Sequence, residues 1–269
     1  MSRHKGSWFK SWNSLPTNHP IRAVGMTALV STLAALLVST SVIFLQPVQK
    51  ENQRQAQEAL LSNIVGTLPG LESLMKESGV DSLSTRWVQL DTGMTSATPP
   101  HADYDPELAT NDPDLSIEIP KQDDVAGISR RALILPVHLL GKRSELELVV
   151  LPVYASGYQS TIRAWLALSG DAQTVVSLSI IDQAETPGLG SRILEPDWLA
   201  QWADRSLYDE SGELVLRVSV GPAVADAEID GISGATRTGN GINNMLQYWL
   251  GANGFGPFLQ NIEQGNISL

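Results

Sequence analysis

Apolar and polar positions divide the chain into stretches of different period. Residues 23–45 carry neither a charge nor a proline, and as a helix they would extend roughly 34 Å, enough to cross a hydrocarbon core of about 30 Å. Gly25, Ser31, Ala34, Ala35 and Ser39 within this stretch are of the small type that membrane helices use where they approach one another closely. The stretch is too long and starts too late for a signal peptide, and no A-x-A site follows it. It therefore reads as an uncleaved transmembrane helix. Residues 50–64 read as a helical stalk, whereas residues 93–125, rich in Asp, Pro, Thr and Ser, read as long connections outside the core.

From residue 130 onward the pattern becomes strand-like. Runs of leucine and β-branched residues at 132–140, 146–154, 162–168, 175–181 and 214–220 predict strands, with turn signals such as Ser169-Gly170-Asp171 and Ser211-Gly212-Glu213 between them. Pro196-Asp197 starts a helix on which Trp198 and Trp202 share a face. A second helix is better marked. Ile242, Met245, Leu246, Trp249 and Leu250 follow the i, i+3, i+4, i+7, i+8 rule, and Gly251 supplies a stop. Strands grouped ahead of a closing helix predict an α+β domain. The expected organisation is a tail over 1–22, a transmembrane helix over 23–45, a stalk helix and variable region over 46–129, and the α+β domain over 130–269.

Charge gives this arrangement a direction. Residues 1–45 contain Arg3, Lys5, Lys10 and Arg22 and no acid, so the rest of the chain holds all 29 Asp and Glu against 14 of the 18 Lys and Arg, a net of about −15. The basic excess before the span puts the N-terminus in the cytoplasm and the domain outside, with membrane lipid around the span. So acidic a domain repels phosphate backbones, which excludes nucleic acid as a partner. The absence of cysteine excludes disulfides, thiolate metal sites and a cluster ligated by cysteine. His4, His19, His101 and His138 lack metal-ligand spacing, so no metal is expected.

Candidate chemistry sits just before the second helix. Asp230-Gly231-Ile232-Ser233-Gly234-Ala235-Thr236-Arg237-Thr238 is a tight turn feeding a helix N-terminus, where backbone N–H groups lack helical partners and the dipole favours an anion. A threonine hydroxyl there can carry a phosphate, with Gly234 allowing close backbone approach and Ala235 leaving room for a bulky adduct. On local physics alone the commoner outcome is a plain helix cap that needs no ligand. A second block, Glu185-Thr186-Pro187-Gly188-Leu189-Gly190, reads as a turn between strand and helix with exposed N–H groups and one apolar side chain.

Together the two blocks resemble the FMN-binding domain family, whose flavinylation signature is Asp-x-x-Ser-Gly-Ala-Thr. The resemblance implies that a flavin transferase links FMN through its phosphate to Thr236, with Asp230, Ser233, Gly234 and Ala235 as the recognised surroundings and Thr238 as the second-rank acceptor. It also implies that Leu189 and Gly188 line the isoalloxazine ring, with Glu185 or Thr186 at its polar edge. Leu-Pro-Val-Tyr at 151–154, Trp249-Leu250-Gly251 and Gly-Phe-Gly-Pro-Phe-Leu at 254–259 narrow the likeness to the C subunits of sodium-translocating NADH:quinone reductases. Both flavin blocks also occur in the G subunits of the related ferredoxin-linked complexes. Where the family has His-Gly before the second block, this chain has Gln183-Ala184. Arg205 stands where a basic residue often follows the Trp198–Trp202 helix, either to face the reduced flavin or as a solvated surface residue.

What the resemblance implies is an electron relay carrying one covalent FMN. Electrons from NADH would enter through another subunit, pass this flavin and leave to a second flavin subunit, while ubiquinone reduction and Na+ export occur in the membrane partners. The partners would be the A, B, D, E and F subunits and a flavin transferase. The chain would be single-pass in a bacterial inner membrane, its flavin domain periplasmic, and inactive as an enzyme on its own. A membrane-anchored scaffold without flavin is the alternative outside this class.

Overall fold

The computed structural model describes Pro20, residues 24–36, Ile64, Gly66, Met75, Lys76 and residues 83–142 and 145–267. The chain divides into two units, Met1–Leu60 and Leu61–Leu269. In the first, residues 24–36 are helical and expose Val24, Met26, Leu29, Val30, Leu33 and Leu36. Among the described residues no helix is long and apolar enough to cross a membrane. The rest of the expected span and nearly all of the expected stalk at 50–64 lie outside the described residues.

In the second unit the described strands are β1 (Ser84–Gln89), β2 (Met94–Ser96), β3 (Ser116–Glu118), β4 (Arg130–Ala132), β5 (Ile134–Lys142), β6 (Glu145–Ser156), β7 (Thr161–Ser169), β8 (Thr174–Asp182), β9 (Arg205–Ser206), β10 (Arg217–Val218) and β11 (Glu228–Ile229). The α-helices are α1 (Pro106–Ala109), α2 (Pro196–Leu199), α3 (Thr236–Trp249) and α4 (Gly256–Glu263). Seven strands form one antiparallel sheet in the order β2-β1-β5-β6-β7-β8-β9. The sheet thus takes in strands from both sides of residue 130.

Strand periodicity explains the layers, because successive side chains point to opposite faces. Val149, Leu151, Val153 and Ala155 of β6, with Ile162, Ala164, Leu166 and Leu168 of β7, join Ile242, Met245, Leu246 and Trp249 of α3 in the main core. Leu148, Val150, Trp165 and Ala167 of the same strands lie on the other face with Ile64, Leu83 and Leu140. Burial on both faces is why β6 and β7 read as near-continuous apolar runs and not as alternating ones.

The four central strands match the runs from which they were expected. The fifth expectation, a strand at 214–220, is corrected to the two-residue β10, which pairs in parallel with β11 in a separate small sheet. The run divides because Leu214 bridges Tyr208 and the N–H groups of Val215 and Leu216 donate to the Leu207 carbonyl, while the outer edge of Val218 is closed by Asn243 on α3, whose side chain accepts from the Val218 N–H at 2.7 Å and donates to the Val218 carbonyl at 2.9 Å. A helix side chain takes the place of a neighbouring strand there. The stretch 93–125 is not merely connection either. It supplies β2, α1 and β3 and buries Tyr104, Ala109 and Ile119, with the Tyr104 hydroxyl donating to the Ile134 carbonyl at 2.8 Å. Trp198 and Trp202 do share a buried face, their rings edge-to-face at 5.6 Å. They span a four-residue helix and a following 3-10 turn at Ala200–Trp202, not one longer helix.

Candidate functional site

Three segments meet at one end of the sheet. β6 and β7 are joined there by the turn at 157–160, and β8, antiparallel to β7, runs back to the same end before entering residues 183–190. The third segment, 230–238, leads into α3, which lies over β6. Gly241 permits that close approach: a Cβ there would lie 2.8 Å from the Ser156 carbonyl oxygen.

Glu185 ties the three segments together. Its side chain is buried. Oε1 accepts from the N–H groups of Gln159 at 3.0 Å and Ser160 at 3.3 Å, and Oε2 accepts from the Thr238 hydroxyl at 2.6 Å. Burial opposes the charge, but these donors outweigh it and hold the carboxyl below its ordinary pKa. Two further bonds join the same segments, from Gln159 Nε2 to Thr186 Oγ1 at 3.0 Å and from the Ala184 N–H to Ser160 Oγ at 2.7 Å. The cluster needs glycine at two points. A Cβ on Gly157 would lie 2.5 Å from Glu185 Oε1, and one on Gly190 would lie 2.6 Å from Thr238 Oγ1.

The loop over 185–190 is a compact turn. The N–H groups of Leu189 and Ser191 both donate to the Thr186 carbonyl, at 3.1 and 3.2 Å, and Gly188 takes the left-handed region at φ +72°. Leu189 is left 42% exposed. It lies against the other block, since a Cβ added to Gly234, itself at φ +76°, would sit 3.1 Å from Leu189 Cδ2.

α3 begins at Thr236. Its N-cap is Ala235, which has no side-chain acceptor, so the plain-cap reading of Thr236 fails: the threonine stands one position inside the helix. Thr236 is exposed and its hydroxyl makes no hydrogen bond among the described residues. The first bond of the helix runs from the Gly239 N–H to the Ala235 carbonyl. The N–H groups of Thr236, Arg237 and Thr238 therefore point past the helix end, where an anion is stabilised. Arg237 places its guanidinium 5.3 Å from the centre of the Tyr158 ring, within cation–π range. Thr238, by contrast, is buried with its hydroxyl committed to Glu185. The arrangement offers one free hydroxyl, three unpaired donors, one cation and one exposed apolar side chain, a set that suits a phosphate ester bearing a flat apolar group.

Residues 157–251 match the family model of the FMN-binding domain. Over 251 residues the chain is 34% identical to the C subunit of the Na(+)-translocating NADH-quinone reductase of Pseudomonas aeruginosa, which takes in 91% of this chain and 96% of that protein. It is 36% identical over 255 residues to the C subunit of the same reductase from Pasteurella multocida, at 91% and 97% coverage. The chain belongs to this family of C subunits. Among solved structures, the crystal structure of Shewanella oneidensis NqrC superposes with a TM-score of 0.63 at 28% identity, over 72% of this chain and 88% of that one. The mixed α/β architecture of the described domain is thus the one that the family shares.

Within this C subunit the two sequence blocks come together through Glu185 with Thr238 and Leu189 with Gly234. Thr186 and Gly188 lie in the same loop, and Ser233 and Ala235 precede Thr236 in the turn that enters α3. Asp230 has a scaffolding place. Its carboxylate accepts from the Ala223 N–H at 2.7 Å, its N–H donates to Gln201 Oε1 at 2.9 Å, and its carbonyl accepts from the Trp198 indole at 2.8 Å. Beside it opens a cleft of about 490 Å³ lined by Trp198, Gln201, Val220, Ile232 and Ser233 among others. Arg205 is half-buried, and its guanidinium donates to the carbonyls of Gln201 and Asp226 at 2.9 and 2.6 Å, tying two loops together. Gln183 accepts from the Glu185 N–H at 2.6 Å. The turn at 157–160 is the part that the motifs did not indicate. A topological signal was present: the gap between strands expected at 146–154 and 162–168 must fall at the sheet end where the strand at 175–181 finishes.

Proposed function

We propose that this chain carries one FMN, linked through its phosphate to Thr236, and serves as an electron relay in a Na(+)-translocating NADH:quinone reductase. The observation that carries the reading is the contrast at the start of α3, where Thr236 offers a free hydroxyl beside unpaired N–H groups while the nearby Thr238 hydroxyl is engaged. Bound FMN supplies the redox chemistry. The chain's own residues fix its place. The N–H groups of Thr236, Arg237 and Thr238, the helix dipole and the Arg237 cation hold the phosphate anion. Leu189 and Gly188 offer an apolar face, and Thr186 a polar edge. Asp230, Ser233, Gly234 and Ala235 present the threonine to a flavin transferase. A covalent link suits a relay, because a carrier that dissociated would be lost between transfers.

The wider organisation belongs to the same proposal. Residues 23–45 cross the bacterial inner membrane once, with 1–22 in the cytoplasm and the flavin domain in the periplasm, as the basic residues before the span direct. A stalk after the span leads to the flavin domain, whose sheet takes in β1 and β2 ahead of residue 130. The A, B, D, E and F subunits are its partners, with ubiquinone reduction and Na+ export placed in the membrane-embedded ones. The test is to isolate the full chain in mild detergent from cells that also express a flavin transferase. Co-purification of the other reductase subunits, with flavin fluorescence that stays on this chain in a denaturing gel, is the expected result. A chain that stays colourless despite an active transferase would reject it.

A further inference from the structure

We propose that Glu185 is the positioning residue for the acceptor: its buried carboxylate sets the geometry of the Thr236 hydroxyl by holding the first turn of α3 through Thr238. The inference rests on the reading that Thr236 carries the flavin. Glu185 reaches two partners besides its own loop, the 157–160 turn through the Gln159 and Ser160 N–H groups and α3 through the Thr238 hydroxyl. Thr238 lies two residues from Thr236, in the same first turn, so any tilt of that turn moves both.

A buried carboxylate is an expensive way to join three segments, since its desolvation must be offset by donors. Three apolar side chains would have joined them as firmly. What hydrogen bonds add is direction, because they weaken steeply as their angle departs from linear, and a satisfied buried polar network selects one arrangement. Every donor that Glu185 meets comes from a different residue, and glycine stands at 157 and 190, where any Cβ would push the carboxylate or the Thr238 hydroxyl aside. The molecule therefore gives up side-chain packing at two points to keep this carboxylate where it is. Group transfer is sensitive to such placement, since reacting atoms displaced by about 1 Å can lose roughly a hundredfold in rate. The lock also settles which threonine is available, because the hydroxyl that serves Glu185 is withdrawn from solvent.

The test follows covalent flavin incorporation into the full-length chain by in-gel fluorescence over time after a flavin transferase is induced. Four variants are compared with wild type: Thr238→Val, Thr238→Ser, Glu185→Gln and, on the opposite face of the sheet, Val150→Ala. Melting of each apoprotein is recorded in parallel. Thr238→Val, which keeps the shape and removes the hydroxyl, should slow incorporation about tenfold, the factor carried by one hydrogen bond to a charged group. Glu185→Gln should slow it in the same direction, and Thr238→Ser should restore most of the wild-type rate. Val150→Ala should lower the melting temperature and leave the rate unchanged, which separates positioning from general loss of stability. Equal rates in wild type, Thr238→Val and Glu185→Gln would overturn the positioning role while leaving the flavin on Thr236. No incorporation into wild type would remove the underlying reading and this inference with it.

Discussion

The Thr238 hydroxyl donates to the buried Glu185 carboxylate at 2.6 Å, whereas Thr236, two residues earlier, is exposed. On a helix these side chains point about 200° apart, so two chemically identical groups have opposite fates. Thr236→Ala should therefore abolish covalent flavin, and Thr238 should not take over. Fluorescence of the variant chain in a denaturing gel checks this, and a labelled band in Thr236→Ala would show that the buried hydroxyl is reachable.

Gly190 is held between the two partners of that bond. A Cβ there would approach Thr238 Oγ1 to 2.6 Å and Glu185 Oε2 to 2.9 Å, with carboxylate and hydroxyl both hemmed in. Gly190→Ala should destabilise the domain by about 1–3 kcal/mol, the usual effect of overpacking, and slow flavin incorporation. Urea unfolding of the variant beside wild type measures the first effect. A stability within experimental error of wild type would mean that the loop yields more easily than its contacts indicate.

Asp230 organises the turn ahead of the acceptor through three bonds, to Ala223, Gln201 and Trp198. Only the bond to Ala223 uses the carboxylate. Asp230→Ala should cost about 1–2 kcal/mol, in line with loss of a charged acceptor for a backbone N–H. Faster amide exchange should appear first at residue 223, because the bonds to Gln201 and Trp198 use the backbone and persist. Unchanged exchange there would argue against the carboxylate as the anchor of this loop.

His138 gives the domain a pH dependence of its own. It is fully buried on the sheet face opposite α3, with Nδ1 3.1 Å from the Thr85 hydroxyl and Nε2 without a partner among the described residues. Burial depresses its pKa from 6.5 to about 4. Between these values the unfolded chain binds a proton that the folded domain refuses, so stability falls as pH falls. The contribution is full above about pH 6.5 and is lost progressively down to about pH 4, a total of roughly 3 kcal/mol. Urea unfolding across that range should show the slope, and His138→Leu should flatten it. An equally steep slope in the variant would assign the effect to other groups.

Much of this was legible in the sequence, for identifiable reasons. β6 and β7 were visible because both of their faces are buried, leaving long apolar runs, β5 and β8 through their leucines and β-branched residues, and α3 because Ile242, Met245, Leu246 and Trp249 mark one side of a helix. The two site blocks were found through local turn chemistry and family likeness. What was not legible depends on contacts distant in sequence. β10 is short because Leu214, Val215 and Leu216 turn to Leu207 and Tyr208, and Asn243, 25 residues from Val218, closes its free edge. The polar stretch 93–125 hides Tyr104, whose partner is the Ile134 carbonyl. That Arg205 ties Gln201 to Asp226 also depends on the fold, which brings those carbonyls within its reach. The turn at 157–160 carries no motif, and its part in the site follows only from the strand order.

Attachment of the flavin comes down to one oxygen atom, and the sequence provides a direct way to address it. Arg217 and Arg237 bound a tryptic peptide covering residues 218–237, in which Thr236 is the only threonine, while Thr238 begins the next peptide. Mass spectrometry of chain isolated from cells with an active flavin transferase should find FMN's added mass on the first peptide. Fragment ions should assign it to Thr236 and not to Ser219 or Ser233. Flavin mass on the Thr238 peptide, or on neither peptide, would contradict attachment at Thr236.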